Sequence, residues 1–247
     1  MIRFRTAILI VHGFAGGTYD QEYLANKLET IKKYDVYTFT LPGHDGDFRE
    51  KITYSAWMKK SESMVEFLIE NGYKKIYVIG HSMGGVIASY LASKYSEIKK
   101  LVLVAPAFRI SGFENEKLDL ENLFHKTPKM FSQYGVKIIA NRMIKLPPNC
   151  FIEFSRLVRK YQNCIKDVKI PTLIFRGTVD TIVPQEAVEH VYNSVDNKYK
   201  KIIMLDNISH DVFRENKTKI TTNMIIKFFE HKSSILNMDS YIKENDK

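Results

Sequence analysis

The chain has 247 residues, 45% of them hydrophobic and 26% charged, with a formal net charge of +9. That length is enough for one α/β domain with a sizeable core and does not require two, and the composition excludes wholesale disorder. The positive charge is spread in pairs such as Lys32-Lys33, Lys59-Lys60, Lys74-Lys75 and Lys99-Lys100. Such spacing marks solvated helix ends and strand approaches, not a nucleic-acid-binding face. No stretch approaches the roughly 20 apolar residues of a transmembrane segment. The only cysteines, Cys150 and Cys164, stand in no metal-ligand spacing and read as reduced structural thiols of a cytoplasmic protein.

In chain order, Thr6 to Val11 follows two arginines but is too short an apolar run for a signal peptide and has no cleavage site after it. It reads as a strand from Ala7 to Val11, buried on both faces as a parallel sheet requires. A glycine-rich loop, His12 to Gly17, comes next. The spacing of Tyr23, Leu24, Leu28 and Ile31 predicts a helix between Tyr19 and Tyr34. Val36 to Leu41 is a second strand, broken by Pro42-Gly43-His44. Ser55 stands as the N-cap of a helix that stops at Gly72. Ile76 to Ile79 is a strand, followed after Ser82 by a helix to about Tyr95, and Lys100 to Ala105 is the next strand.

The pattern then changes. Residues 107–168 are rich in Phe, Lys and Asn, with helical stretches near Leu118 to Phe124, Val136 to Ile144 and Phe151 to Gln162. A single crossover needs only a dozen or so residues, so the segment reads as an inserted helical cap. The sheet resumes at Thr172 to Gly177, a helix follows Pro184, Lys201 to Leu205 is the last strand, and Ile220 to Phe229 the last helix. Residues 233–247 read as a frayed, flexible tail. The expectation is a single domain over residues 1–247. It is an α/β fold with a mostly parallel sheet of about six strands flanked by helices.

The chemistry converges on one edge of that sheet. Gly80-His81-Ser82-Met83-Gly84 sits between a strand and a helix. There the glycines allow close packing and a strained turn pushes the Ser82 hydroxyl outward, over the positive end of the following helix. Asp180 follows the strand ending at Gly177, and His210 follows the last strand. Ser82, Asp180 and His210 thus occur in the order nucleophile, acid, base, each on a loop after a different strand. A serine hydroxyl needs such a base at neutral pH, and the aspartate would orient the imidazole and stabilise its cation. The backbone N–H groups of Met83 and Phe14 are the expected oxyanion donors. Asp206 and Asp211 compete with Asp180 but read as turn formers. His12, His44 and His81 read as hydrogen-bonding residues near the site; His125, His190 and His231 read as surface or cap residues. No HExxH or HxxEH spacing exists, so neither a metal nor a cofactor is expected.

The motifs His12-Gly13-Phe14, Pro42-Gly43-His44, Gly80 to Gly85, Gly177 to Pro184 and Ser209-His210-Asp211 together resemble an α/β-hydrolase. The resemblance is greatest to the compact carboxylesterase and monoacylglycerol-lipase branch, and it spans about Ala7 to Phe229 apart from the cap. The two leading antiparallel strands of the full pattern are not expected. The resemblance implies a serine esterase acting through an acyl-enzyme on short- to medium-chain acyl esters, as a monomer or homodimer. Phe108, Phe113, Phe124, Phe131, Phe151 and Phe154 are candidates for the acyl pocket. A thioesterase, lactonase or aryl or cinnamoyl esterase would use the same three residues. A non-catalytic ligand sensor would keep the pocket without turnover. Dehalogenase and epoxide-hydrolase chemistry is disfavoured because those relatives carry an aspartate where this chain has Ser82.

Overall fold

The computed structural model describes residues 5–44, 52–109, 113–114, 117–118, 146–147, 149–214 and 217–242. Strand β1 (Thr6–Val11) leads through a 3-10 turn (Thr18–Gln21) into helix α1 (Glu22–Glu29) and strand β2 (Tyr34–Thr38). Helix α2 (Tyr54–Glu70), strand β3 (Ile76–His81), helix α3 (Met83–Lys94) and strand β4 (Ile98–Val104) follow. A short antiparallel ladder, β5 (Phe113–Glu114) with β6 (Lys117–Leu118), stands apart from the main sheet. After it come helix α4 (Asn149–Tyr161), strand β7 (Thr172–Gly177), helix α5 (Gln185–Ser194), strand β8 (Lys200–Leu205), helix α6 (Thr218–Glu230) and strand β9 (Tyr241–Ile242).

The main sheet has the order β2-β1-β3-β4-β7-β8-β9, and every pairing in it is parallel. Successive residues of a strand face opposite sides. Ala7, Leu9 and Val11 therefore join α2, α3, α4 and α5 in one core layer, while Ile8 and Ile10 join α1 and α6 in the other. The chain leaves β1 toward β2 on one side and returns to β3 on the other. In open parallel sheets that reversal opens a crevice at the carboxyl ends of the strands. The loops after β1 and β3 meet there.

Local chemistry moves several element boundaries from the sequence reading. The N-cap of α2 is Thr53 and not Ser55: the Thr53 hydroxyl accepts the Ala56 N–H at 3.2 Å. The first helix is shorter than its apolar spacing suggests, because the Thr30 hydroxyl takes the Lys27 carbonyl at 2.7 Å and the chain then turns into β2. Of the three helical stretches expected in residues 107–168, the last corresponds to α4. The region from 119 to 145 lies outside the described residues. Residues 233–242, expected to fray, instead form a 3-10 turn (Lys232–Asn237) and β9. Ile235 and Met238 anchor that segment in the α6-side core, so β9 can pair with β8. Residues 243–247 lie outside the described residues. Among the described residues, no helix is long and apolar enough to cross a membrane.

Candidate active site

The turn between β3 and α3 is held from several sides. A Cβ on Gly84 would strike the carbonyl oxygens of Val11 and His12, so only glycine lets α3 approach β1 this closely. Ser82 has φ 54° and ψ −118°. Its N–H donates to Val104 O at 2.9 Å, while its own carbonyl accepts from Gly85 N–H at 2.9 Å and from Ala107 N–H at 3.1 Å. A left-handed backbone at a residue other than glycine costs on the order of 1–3 kcal/mol and persists only where its surroundings over-determine it. Ala15, Ala105 and Asn207 are also left-handed, at φ 57°, 45° and 54°. All four follow strands of the main sheet at its carboxyl edge, so backbone strain collects on the edge that carries the polar side chains.

The structure brings Ser82, His210 and Asp180 together. His210 Nε2 lies 2.9 Å from Ser82 Oγ, and His210 Nδ1 lies 2.9 Å from Asp180 Oδ2. A carboxylate beside Nδ1 fixes the proton there and leaves Nε2 free to accept the serine proton. The other carboxylate oxygen, Oδ1, accepts the N–H groups of Ile182 (2.9 Å) and Val183 (3.0 Å), so neither face of Asp180 is free to rotate away. Burial pushes the Asp180 pKa up, but the His210 ring and those two N–H groups outweigh it and hold the carboxyl below its ordinary 3.8. For His210, burial pushes the pKa down, yet the charge and hydrogen bond of Asp180 prevail and hold it above 6.5.

One residue that shapes this loop escaped the sequence reading. Arg176, buried at the end of β7, donates to Val183 O (3.3 Å), Gly177 O (2.8 Å) and Asp180 O (3.0 Å). It ties the acid loop into one shape through three backbone carbonyls. An arginine at the end of an apolar strand carries no sequence signal of that task. The competing carboxylates point elsewhere: Asp206 Oδ1 faces Thr178 Oγ1 at 3.4 Å, and Asp211 Oδ2 faces Arg214 Nε at 3.5 Å.

The loop after β1 packs directly on the turn that carries Ser82, with the position of a Cβ on Gly13 only 3.1 Å from Ser82 Cβ. Phe14 is the next residue, and Met83 opens α3, where helix N–H groups lack intrahelical partners. His12 braces the loop. Its Nε2 accepts Leu41 N–H at 3.0 Å and its Nδ1 donates to Gly13 O at 2.8 Å, a pair of bonds that only one neutral tautomer can make. Burial, together with His44, pushes its pKa down to about 3. His81 Nε2 bonds to His210 O at 3.0 Å, and burial with the neighbouring His210 lowers its pKa to about 4.

The Phe14 ring is the centre of an aromatic wall. It stacks on Phe154 at 5.0 Å and 17° and meets Phe151, His44 and Trp57 edge-on. Thus α4 sits over the loop that carries Phe14. Of the other candidate pocket residues, Phe108 is buried in the same core layer. Phe124 and Phe131 lie outside the described residues, and Phe113 is placed only as part of β5. Cys150 and Cys164 are free thiols. Among the described residues, no group of three or more His, Cys, Asp or Glu side chains converges as metal ligands would.

Comparison with known proteins adds four likenesses. The family model described as serine aminopeptidase, S33 matches residues 3–217. A Mycoplasma pneumoniae protein that carries an esterase/lipase name is 31% identical over 228 residues, covering 84% of this chain and 83% of its own. The thermostable monoacylglycerol lipase of Bacillus sp. strain H-257 is 25% identical over 227 residues, covering 90% and 89%. Among solved structures, the monoacylglycerol lipase of Paleococcus ferrophilus shares the fold at a TM-score of 0.72 and 21% identity, over 91% of this chain and 95% of that one.

Proposed function

This chain is an α/β-hydrolase of the serine aminopeptidase S33 family, and we propose that it hydrolyses carboxylic esters of short to medium acyl chain length through Ser82, His210 and Asp180. The observation that carries the reading is the unbroken line of 2.9 Å contacts from Ser82 Oγ through His210 to Asp180. His210 Nε2 takes the hydroxyl proton as Oγ attacks the ester carbonyl, and the N–H groups of Phe14 and Met83 receive the oxyanion. His210 then gives the proton to the departing alkoxide, leaving an acyl-Ser82. Water, deprotonated by the same imidazole, releases the acid and restores the serine. The buried, ionised Asp180 favours each step in which His210 carries charge.

The acyl-chain preference is supported by the wall of Phe14, Phe151 and Phe154, which packs apolar rings against the loop that receives the oxyanion. The names of the relatives, among them a carboxylesterase of Bacillus subtilis, agree with ester chemistry. The test is turnover of p-nitrophenyl esters from acetate to palmitate beside Ser82→Ala. We expect a maximum at short or medium chains and a loss of kcat on the order of 10⁴ or more in the variant. Near-normal activity in Ser82→Ala would sink the mechanism. A rate that rises steadily toward palmitate would sink the chain-length assignment alone.

A further inference from the structure

The loop that carries the Phe14 N–H is fixed by a side chain that takes no part in bond making. Gly16 N–H donates to Gly13 O at 3.1 Å and closes a turn around Phe14 and the left-handed Ala15. Directly after it, Gly17 N–H donates to Asp20 Oδ2 at 3.0 Å, and Asp20 N–H returns to Gly17 O at 3.1 Å. Asp20 is only 7% exposed. Its Oδ1 lies 2.5 Å from Arg214 Nη2, while Arg214 Nε lies 3.5 Å from Asp211 Oδ2. Asp211 directly follows His210, and Arg214 N–H donates to Asp211 O at 3.0 Å. The Tyr19 ring covers the guanidinium, 5.6 Å from centroid to Cζ. One guanidinium therefore spans the loop after β1 and the loop after β8.

The geometry points to Asp20 and Arg214 as a positioning pair that sets the oxyanion loop relative to His210. The inference rests on the roles proposed above for Phe14, Ser82 and His210. Those two loops leave different strands, and the attack requires the N–H of one and the imidazole of the other to hold a common spacing around one carbonyl carbon. A charged, planar fork held by carboxylates on both loops supplies that spacing. A turn with a left-handed alanine also needs an outside constraint to stay in place, and the Gly17 to Asp20 bond is that constraint. Neither Asp20 nor Arg214 touches the reacting atoms.

The pair is tested by Asp20→Asn, Arg214→Gln and the double variant, assayed with p-nitrophenyl butyrate well below the lowest melting temperature. Asparagine keeps an oxygen for Gly17 N–H but turns an NH₂ group toward Arg214, so the charge and the acceptor that Arg214 uses are lost together. Misplacement by a fraction of an ångström lowers kcat, so each single change is expected to reduce kcat by about 10- to 100-fold. KM should stay within about threefold, because ground-state binding does not use the oxyanion contact. The double variant should fall no more than about threefold below the worse single, as for two members of one unit. The rate of Ser82 modification by a fluorophosphonate, which also places an anionic oxygen in that loop, should fall in parallel.

Unchanged kcat in either single variant overturns the proposal. So do losses that multiply in the double variant, or losses that track only the fraction of unfolded protein. Turnover by the unaltered protein and its absence in Ser82→Ala test the ester reading separately. If no ester is turned over, that reading fails and the fluorophosphonate rates decide the pair. If the unaltered protein is not labelled either, the pair has nothing to position and the inference fails with it.

Discussion

Asp180→Asn separates orientation of the base from every other property of the site. Asp180 Oδ1 accepts two backbone N–H groups, from Ile182 and Val183, at 2.9 and 3.0 Å. An asparagine at this position keeps its amide oxygen toward those two donors, since turning the amide would set NH₂ against two N–H groups. The NH₂ group then faces His210 Nδ1, where Oδ2 stood at 2.9 Å. A donor at that point makes Nδ1 the acceptor and moves the ring proton to Nε2, which now faces Ser82 Oγ with its proton in place. The imidazole can no longer take the serine proton without a costly change of tautomer. We expect kcat to fall by about 10⁴, or about 5 kcal/mol of transition-state stabilisation, with little change in KM. Steady-state hydrolysis of p-nitrophenyl butyrate measures it, with Asp206→Asn as the control that should retain most activity. Retention of more than about a tenth of kcat would refute the orientation argument, since a misplaced ring proton costs far more than tenfold. An equal loss in Asp206→Asn would show that the acid is misassigned.

The remaining expectations concern pH and folding. As the proposed base, His210 would work only when neutral, and its pKa is raised above 6.5, so kcat/KM should decline with falling pH from a midpoint above 6.5; a rate that stays flat down to pH 4 would contradict this. His12 and His81 are buried neutral, with pKa values lowered to about 3 and about 4, so the stability they provide is complete above 6.5 and is lost as pH falls toward those values. At about pH 5 each should cost about 2 kcal/mol relative to neutral pH, read as a lower urea midpoint, and an unchanged midpoint would refute the burial argument. His210 runs the other way, its raised pKa giving stability that is full below 6.5 and lost as pH rises through the folded value. Asp180, held below 3.8, keeps its contribution until the pH falls past that range. Thr53→Ala should destabilise the protein by about 1 kcal/mol and Ser55→Ala by far less, by urea titration; the reverse order would return the cap to Ser55.

What the sequence reveals depends on how narrowly a position's chemistry restricts its residue type. Ser82 needs a strand, a glycine turn and a helix around it, and each leaves a mark in the string. The register of β7 with β8 pairs Gly177 with Leu205, so the loops carrying Asp180 and His210 start level with one another. Chain order alone could suggest that partnership but could not choose among Asp180, Asp206 and Asp211. What separates them in the structure is the 2.9 Å contact of Asp180 Oδ2 with His210 Nδ1, while Asp206 and Asp211 face Thr178 and Arg214. Arg176, Asp20 and Arg214 were silent for a related reason: each acts by binding loops whose proximity exists only after folding. Thr53 and Ser55 both offer a hydroxyl at the start of α2, and only the turn geometry selects the one that reaches Ala56 N–H. In the tail, Ile235 and Met238 are too few to make a periodic pattern, yet two apolar anchors are enough to hold β9 against β8. The pattern separates the two kinds of residue in this site. Groups that make or break bonds are constrained by chemistry and legible one at a time, whereas groups that set distances between loops are constrained by the fold and become legible only in pairs. The Asp20 to Arg214 contact belongs to the second kind, so its role is measured by the coupling between two changes and not by the size of either alone.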